Sequence, residues 1–168
     1  MKKDEANKIF QYLTFGIGDE MYALKVIKVK EVLEYQNITR VPKTPDFMLG
    51  VINVRGHIVP IIDLHMKFKL PSAERSVDTC FIVLEVPVEE EMITIGIIAD
   101  QVHSVTEILP ENIDPAPKIG TQLDTSFIEG IGKENDRFLI ILNIDKLITV
   151  EEMNSIAKEE NAELATEE

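Results

Sequence analysis

The chain has 168 residues, 45% of them hydrophobic and 28% charged, which suits one ordinary soluble domain or two small fused ones. A net charge of −13 argues against nucleic acid and anionic membrane surfaces as partners, since both are bound by clustered Lys and Arg. No window approaches the ~18 uninterrupted apolar residues of a membrane span, MKKDEANK leads into no signal-peptide core, and a lone Cys80 allows no internal disulfide, so a cytoplasmic protein is expected.

Taken in chain order, residues 9–17 read as a strand, Gly18-Asp19-Glu20 as a turn and residues 21–26 as the returning strand. Val26, Val29 and Leu33 fit a helical stripe, yet Val29, Glu31 and Leu33 also share one face of a strand; a short turn followed by a strand over 29–35 is expected. Thr44-Pro45-Asp46 offers a capping hydroxyl and a first-turn proline, so a short helix is expected there, closed by Gly50.

Residues 50–64, GVINVRGHIVPIIDL, read as a hairpin: two short apolar runs rich in β-branched residues flank Arg55-Gly56, and Gly56 supplies the positive φ of a tight turn. Arg55 then stands at an exposed tip on a buried base, an arrangement for presenting a charge. A helical turn over 64–68 follows, capped by Asp63. Strands are expected over 79–86, 92–99 and 101–109, and a last hairpin joins 127–132 to 137–143 around Lys133-Glu134-Asn135-Asp136. Thr149-Val150-Glu151-Glu152 is a capping box, so a C-terminal helix should begin at Val150 with Val150, Met153, Ile156 and Ala157 on one face. Residues 156–168 run into an acidic tail expected to be disordered.

The central hairpin has a distant twin. At an offset of 80, Phe47 falls on Phe127, Gly50 on Gly130, and the run 58–62 on the apolar run 138–142. At an offset of 76, Val26, Val29, Glu31 and Val32 fall on Val102, Val105, Glu107 and Ile108. Two matches in the same order indicate an internal duplication, with halves of roughly 20–75 and 80–150. Many short strands with regular turns point to small barrels that pack on one shared core.

No phosphate loop, dinucleotide fingerprint, zinc spacing or nucleophile elbow is present. His57, His65 and Asp63 are the one grouping with metal-ligand chemistry, and ordinary surface histidines account for it more simply. A small hydrolase using Asp63 and His57 is the rival from a different class. Cys80 lies inside CFIVL, where a small buried side chain is the usual role. Neither a catalytic site, a metal nor a cofactor is expected.

GVINVRGHIVPIIDL resembles the signature of the CheW family, the chemotaxis coupling proteins, and Pro45-Asp46-Phe47-Met48-Leu49, Val29-Lys30-Glu31-Val32 and residues 140–147 fit as well. The resemblance covers about residues 8–155. It implies a mainly β fold of two small five-stranded Src-homology-3-like barrels that share a hydrophobic core and exchange strands, with a few short helices. It also implies a non-catalytic adaptor that joins the cytoplasmic tips of membrane chemoreceptors to the regulatory domain of the histidine kinase CheA, itself of similar fold. The protein would be a monomer when free, recruited to receptor arrays at the inner face of the membrane. The same fold serves other two-component pathways such as surface motility, and also occurs fused to a receiver, for which this chain leaves no room.

The duplication sorts the candidate residues. Gly50, Gly56 and Gly130 are assigned to structural turns. Arg55 has Asn135 as its counterpart, in a hairpin of different turn chemistry, so the fold itself does not demand an arginine. The family links Glu31 and Arg55 to partner binding, and an ion pair between them across neighbouring strands is expected; Glu107, the counterpart of Glu31, leaves a shared structural role open. Val29 is the expected apolar contact to the kinase. Ile27, Val102 and Val105 are assigned to a receptor groove between the barrels, with simple core packing as the alternative for each.

Overall fold

Runs of β-branched residues broken every six to nine positions by turn residues leave the chain little choice but short strands, and eleven are formed among the described residues. The computed structural model describes residues 10–71, 74–116 and 126–148. In chain order these are β1 (Phe10–Ile17), β2 (Glu20–Lys25), a 3-10 turn at Val26–Lys28, β3 (Val29–Glu34), β4 (Met48–Val54), β5 (His57–Ile62), the short helix α1 (Leu64–Lys67), β6 (Cys80–Val88), β7 (Glu91–Ala99) and β8 (Gln101–Ile108). A 3-10 turn at Pro110–Asn112, β9 (Ile113–Asp114), β10 (Ile128–Glu134), β11 (Arg137–Leu142) and a last 3-10 turn at Ile144–Lys146 complete the set. The C-terminal helix and acidic tail read from the sequence lie outside the described residues.

The strands make two curled sheets in the manner of two Src-homology-3-like barrels. The first has five strands in the order β3-β6-β7-β5-β4; the second has the order β8-β1-β2-β11-β10, extended by the two-residue β9. The duplication is visible in the hydrogen bonding. Each barrel has a hairpin whose first strand bulges at matched positions, between Met48 and Gly50 and between Ile128 and Gly130. Each hairpin then runs parallel to one strand of a second hairpin, β5 beside β7 and β11 beside β2. Asp63 N–H to the Phe47 carbonyl and Asn143 N–H to the Phe127 carbonyl close the two bases at the same 2.7 Å. The halves therefore exchange hairpins: β1–β2 joins the strands after residue 100, whereas 29–99 alone supplies the first sheet.

Three cores result. Ile52, Val54, Val59, Ile61 and Phe81 fill the first barrel, and Tyr12, Ala23, Ile108, Leu139 and Ile141 the second. The largest core lies between them, where β1 and β2 (Leu13, Phe15, Leu24) meet β6 and β7 (Ile82, Leu84, Ile95, Ile97). Each such side chain contributes about 1.5–3 kcal/mol on burial. A stacked aromatic row also crosses the junction, from Phe15 through Tyr22 (6.1 Å) and Phe68 (6.1 Å) to Phe127 (4.5 Å).

Three expectations are corrected. No helix opens at Thr44-Pro45-Asp46: Thr44 Oγ1 donates back to the Val41 carbonyl at 3.0 Å, and Met48 N–H closes a turn on Pro45. Thr39 and Val51 meanwhile exchange both backbone hydrogen bonds (2.9 and 2.8 Å), which draws the chain into β4 instead. Tertiary pairing outweighs a local capping signal. Gly50 consequently ends no helix; it sits at the β4 bulge with φ 150°, where a side chain would run into the Thr39 backbone. Gly130 is likewise within a strand, pressed against Ile113 and the Asp114 carbonyl. Finally, the two hairpin tips share their turn conformation despite unlike residues. Arg55-Gly56 (φ 49° and 86°) and Asn135-Asp136 (46° and 65°) are both left-handed throughout, as a two-residue type I′ turn requires.

Candidate functional site

Arg55 is carried on the β4–β5 tip by a strand pair in register from Asn53↔Ile58 to Val54↔His57. Glu31 lies on β3 opposite Val83 of β6. These strands are the two edges of the five-stranded sheet, so curling of the sheet, and not strand pairing, brings the side chains together. Arg55 Nη1 donates to Glu31 Oε1 at 3.0 Å while Nη2 meets Oε2, a two-pronged contact that closes the barrel's open side. The expected ion pair is formed, across edges rather than neighbouring strands. Arg55 keeps 69% of its side-chain surface in solvent against 24% for Glu31, so the guanidinium faces outward as it pairs. The hydrogen bond from Arg55, and after it the charges of Arg55 and Lys30, hold the Glu31 carboxyl below its ordinary value; the same bond pushes the guanidinium's value up.

The turn beneath Arg55 is clamped by its neighbour. Asn53 Oδ1 accepts the Gly56 N–H at 2.8 Å, and the Asn53 carbonyl accepts Gln36 Nε2 at 3.4 Å from the segment that follows β3. Val29, at the start of β3, is half-buried against the shared core. Sequence reasoning passed over two exposed apolar residues of the same barrel, Val32 on β3 and Ile58 on β5. The pairing of Ile58 with the polar, outward-facing Asn53 is the one signal that marks it as solvent-side.

The three residues assigned to a receptor groove are set apart by their burial. Ile27, on the first 3-10 turn, is 82% exposed; Val105 on β8 is 55% exposed; Val102 packs against the shared core. Ile27 lines a surface hollow of about 450 Å³ with Phe10, Gln11, Lys25, Val26 and Glu107, and neither Val102 nor Val105 reaches it. Two ion pairs, Lys25–Glu129 (3.1 Å) and Lys28–Asp145 (3.0 Å), flank that turn and fasten it to the second barrel. Glu107 on this hollow has Asn135 where Glu31 has Arg55, so the acidic residue is repeated without its cation.

The rival constellation is taken apart by the same geometry. Asp63 accepts the His65 N–H at 2.9 Å and caps α1, while His57 begins β5; six extended residues separate them by about 20 Å. His65 is buried, with Nδ1 2.9 Å from the Pro71 carbonyl and Nε2 3.1 Å from Asp100 Oδ1. Asp100 Oδ2 in turn accepts the Gly18 N–H at 2.6 Å, which makes the group a strut between the barrels. Among the described residues, no three of His, Cys, Asp and Glu are grouped to hold a metal. Cys80 is buried and its thiol is pushed up, chiefly by desolvation.

A family profile described as "CheW-like domain" matches residues 11–152. The chain belongs to the CheW-like family. It is 39% identical over 143 residues to chemotaxis protein CheW of Klebsiella aerogenes, with 85% of this chain and 84% of that protein covered. Chemotaxis protein CheW of Helicobacter pylori is 33% identical, with 88% and 86% covered. The crystal structure of scaffolding protein TtCheW from Thermoanaerobacter tengcongensis superposes with a TM-score of 0.76 at 35% identity, covering 86% of this chain and 91% of that one. No helix among the described residues is long and apolar enough to cross a membrane.

Proposed function

We propose that this chain is a non-catalytic adaptor that couples chemoreceptor tips to the histidine kinase CheA in signalling arrays on the cytoplasmic side of the membrane. The observation that carries the reading is the Arg55–Glu31 pair: a solvent-facing guanidinium on a rigid hairpin, fixed against the opposite edge of its barrel. An exposed pair of this kind adds little to folding, and its counterpart in the second barrel dispenses with the cation. A surface for a partner explains it better than a structural need. Glu31, Arg55 and Val29 form the kinase-facing set, and Val32 and Ile58 are further exposed apolar residues of the same barrel. Ile27, Val102 and Val105 remain the receptor-facing set, with Ile27 the most accessible of them. The free protein is a monomer in this reading and needs no cofactor.

Titration calorimetry against the regulatory domain of the CheA from the same cell tests it. Saturable binding that Arg55→Glu or Glu31→Lys weakens, with both variants folded, supports the coupling role. Wild-type protein that does not bind at high micromolar concentration overturns it.

A further inference from the structure

The Arg55 tip has a support that its twin lacks. The left-handed region strains a non-glycine residue, whose Cβ crowds the following carbonyl oxygen, and Arg55 adopts φ 49° there. The Asn53 carboxamide meets that tip from below, its Oδ1 accepting the Gly56 N–H at 2.8 Å. Its main-chain carbonyl is tied to Gln36, which places Asn53 between the tip and the edge that carries Glu31. The side chain faces solvent and fills no core.

The second barrel supplies an internal control. The equivalent turn, Asn135-Asp136, has the same left-handed conformation, and the position matching Asn53 is Lys133. An ammonium group has no acceptor, so it cannot take the N–H that Asn53 takes; Lys133 instead reaches Asp114 at 3.6 Å. The fold therefore builds this turn without a side-chain clamp. Among the described residues, the clamp accompanies the tip that carries the arginine.

We infer that Asn53 is a positioning residue for partner recognition: its carboxamide oxygen holds the tip so that Arg55 engages Glu31 and presents its remaining N–H groups to the kinase domain. The inference rests on the coupling function proposed above. Ordering the guanidinium before the encounter removes part of the entropy that binding would otherwise cost.

The test compares wild type, Asn53→Ala, Asn53→Lys and Asn53→Asp by calorimetry against the CheA regulatory domain, each also combined with Arg55→Gln. Expected are melting temperatures within a few degrees of wild type and affinity lowered roughly tenfold, about 1.4 kcal/mol, in the Ala and Lys variants. The Asp variant, which keeps the acceptor, should bind nearly as wild type. Arg55→Gln should cost little more once Asn53 is Ala. Full affinity in the Ala and Lys variants, with Arg55→Gln alone still weakening binding, overturns the positioning role and leaves the coupling function standing. Wild-type protein that does not bind the regulatory domain at high micromolar concentration overturns both.

Discussion

His65 and Asp100 join the two barrels through a contact of 3.1 Å between a buried imidazole and a carboxylate that also holds the Gly18 N–H. Asp100→Ala removes the acceptor of the Gly18 N–H and the polar neighbour of His65 Nε2 at the junction. The expected loss is about 1–3 kcal/mol of unfolding free energy, read from urea melts. Asp100→Asn, which retains an acceptor for Gly18, should lose less.

Reversal of the Arg55–Glu31 pair separates folding from recognition. Arg55→Glu and Glu31→Lys should each abolish coupling to the kinase while thermal unfolding stays near wild type. The double exchange, Arg55→Glu with Glu31→Arg, should restore the internal pair and leave partner binding impaired, because the partner meets the wrong charge. A large fall in melting temperature in either single variant would place the pair among the structural contacts.

Acid titration checks the same pair from another side. The folded-state value of Glu31 lies below the ordinary 4.5, chiefly through the Arg55 hydrogen bond. The pair's contribution is therefore complete above 4.5 and disappears as pH falls through the lowered value. NMR of the Glu31 carboxyl carbon should show a midpoint below 4.5 in wild type that returns toward 4.5 in Arg55→Gln.

Two glycines 64° apart in φ (150° against 86°) should respond differently to alanine. Gly50 (φ 150°) has Ile38 Cγ2 2.7 Å from where a Cβ would stand, besides the Thr39 backbone, so Gly50→Ala combines strain with overpacking and should cost about 1–3 kcal/mol. Gly56 (φ 86°) has open space around it, and Gly56→Ala should cost about 1 kcal/mol from backbone strain alone. Chemical denaturation of the two variants side by side measures the gap.

Burial pushes the Tyr12 phenol up to about 12, with the Glu129 charge adding to it, and raises Tyr22 for the same leading reason. Since ionisation is disfavoured only in the folded state, the associated stability is complete below 10 and is lost as pH climbs toward 12. Absorbance titration should show tyrosinate from Tyr12 and Tyr22 appearing late in the folded protein and near 10 in denaturant.

The hairpins were legible because β-branched runs and turn residues act locally: the tip at Arg55-Gly56 and the duplication follow from residue types and spacing alone. The Glu31–Arg55 pair was readable once both were placed in one barrel. What closes the barrel was not, since the edges meet by curling, and nothing in either strand encodes its distance from the other. The helix expected near Thr44 failed for a related reason, the Thr39–Val51 bridge being a non-local choice. Exposure of Val32, Ile58 and Val105 was hidden as well, because the same residue types serve the cores beside them.

The exchange of hairpins sets an order for synthesis. Residues 29–99 supply every strand of the first sheet, so it can close as soon as they have left the ribosome. The β1–β2 hairpin, made before them, has its neighbours β8 and β11 at residues 101–142 and must wait for them with both edges bare. That interval, when strands made earlier are covered after strands made later, is when the nascent chain is most open to wrong partners.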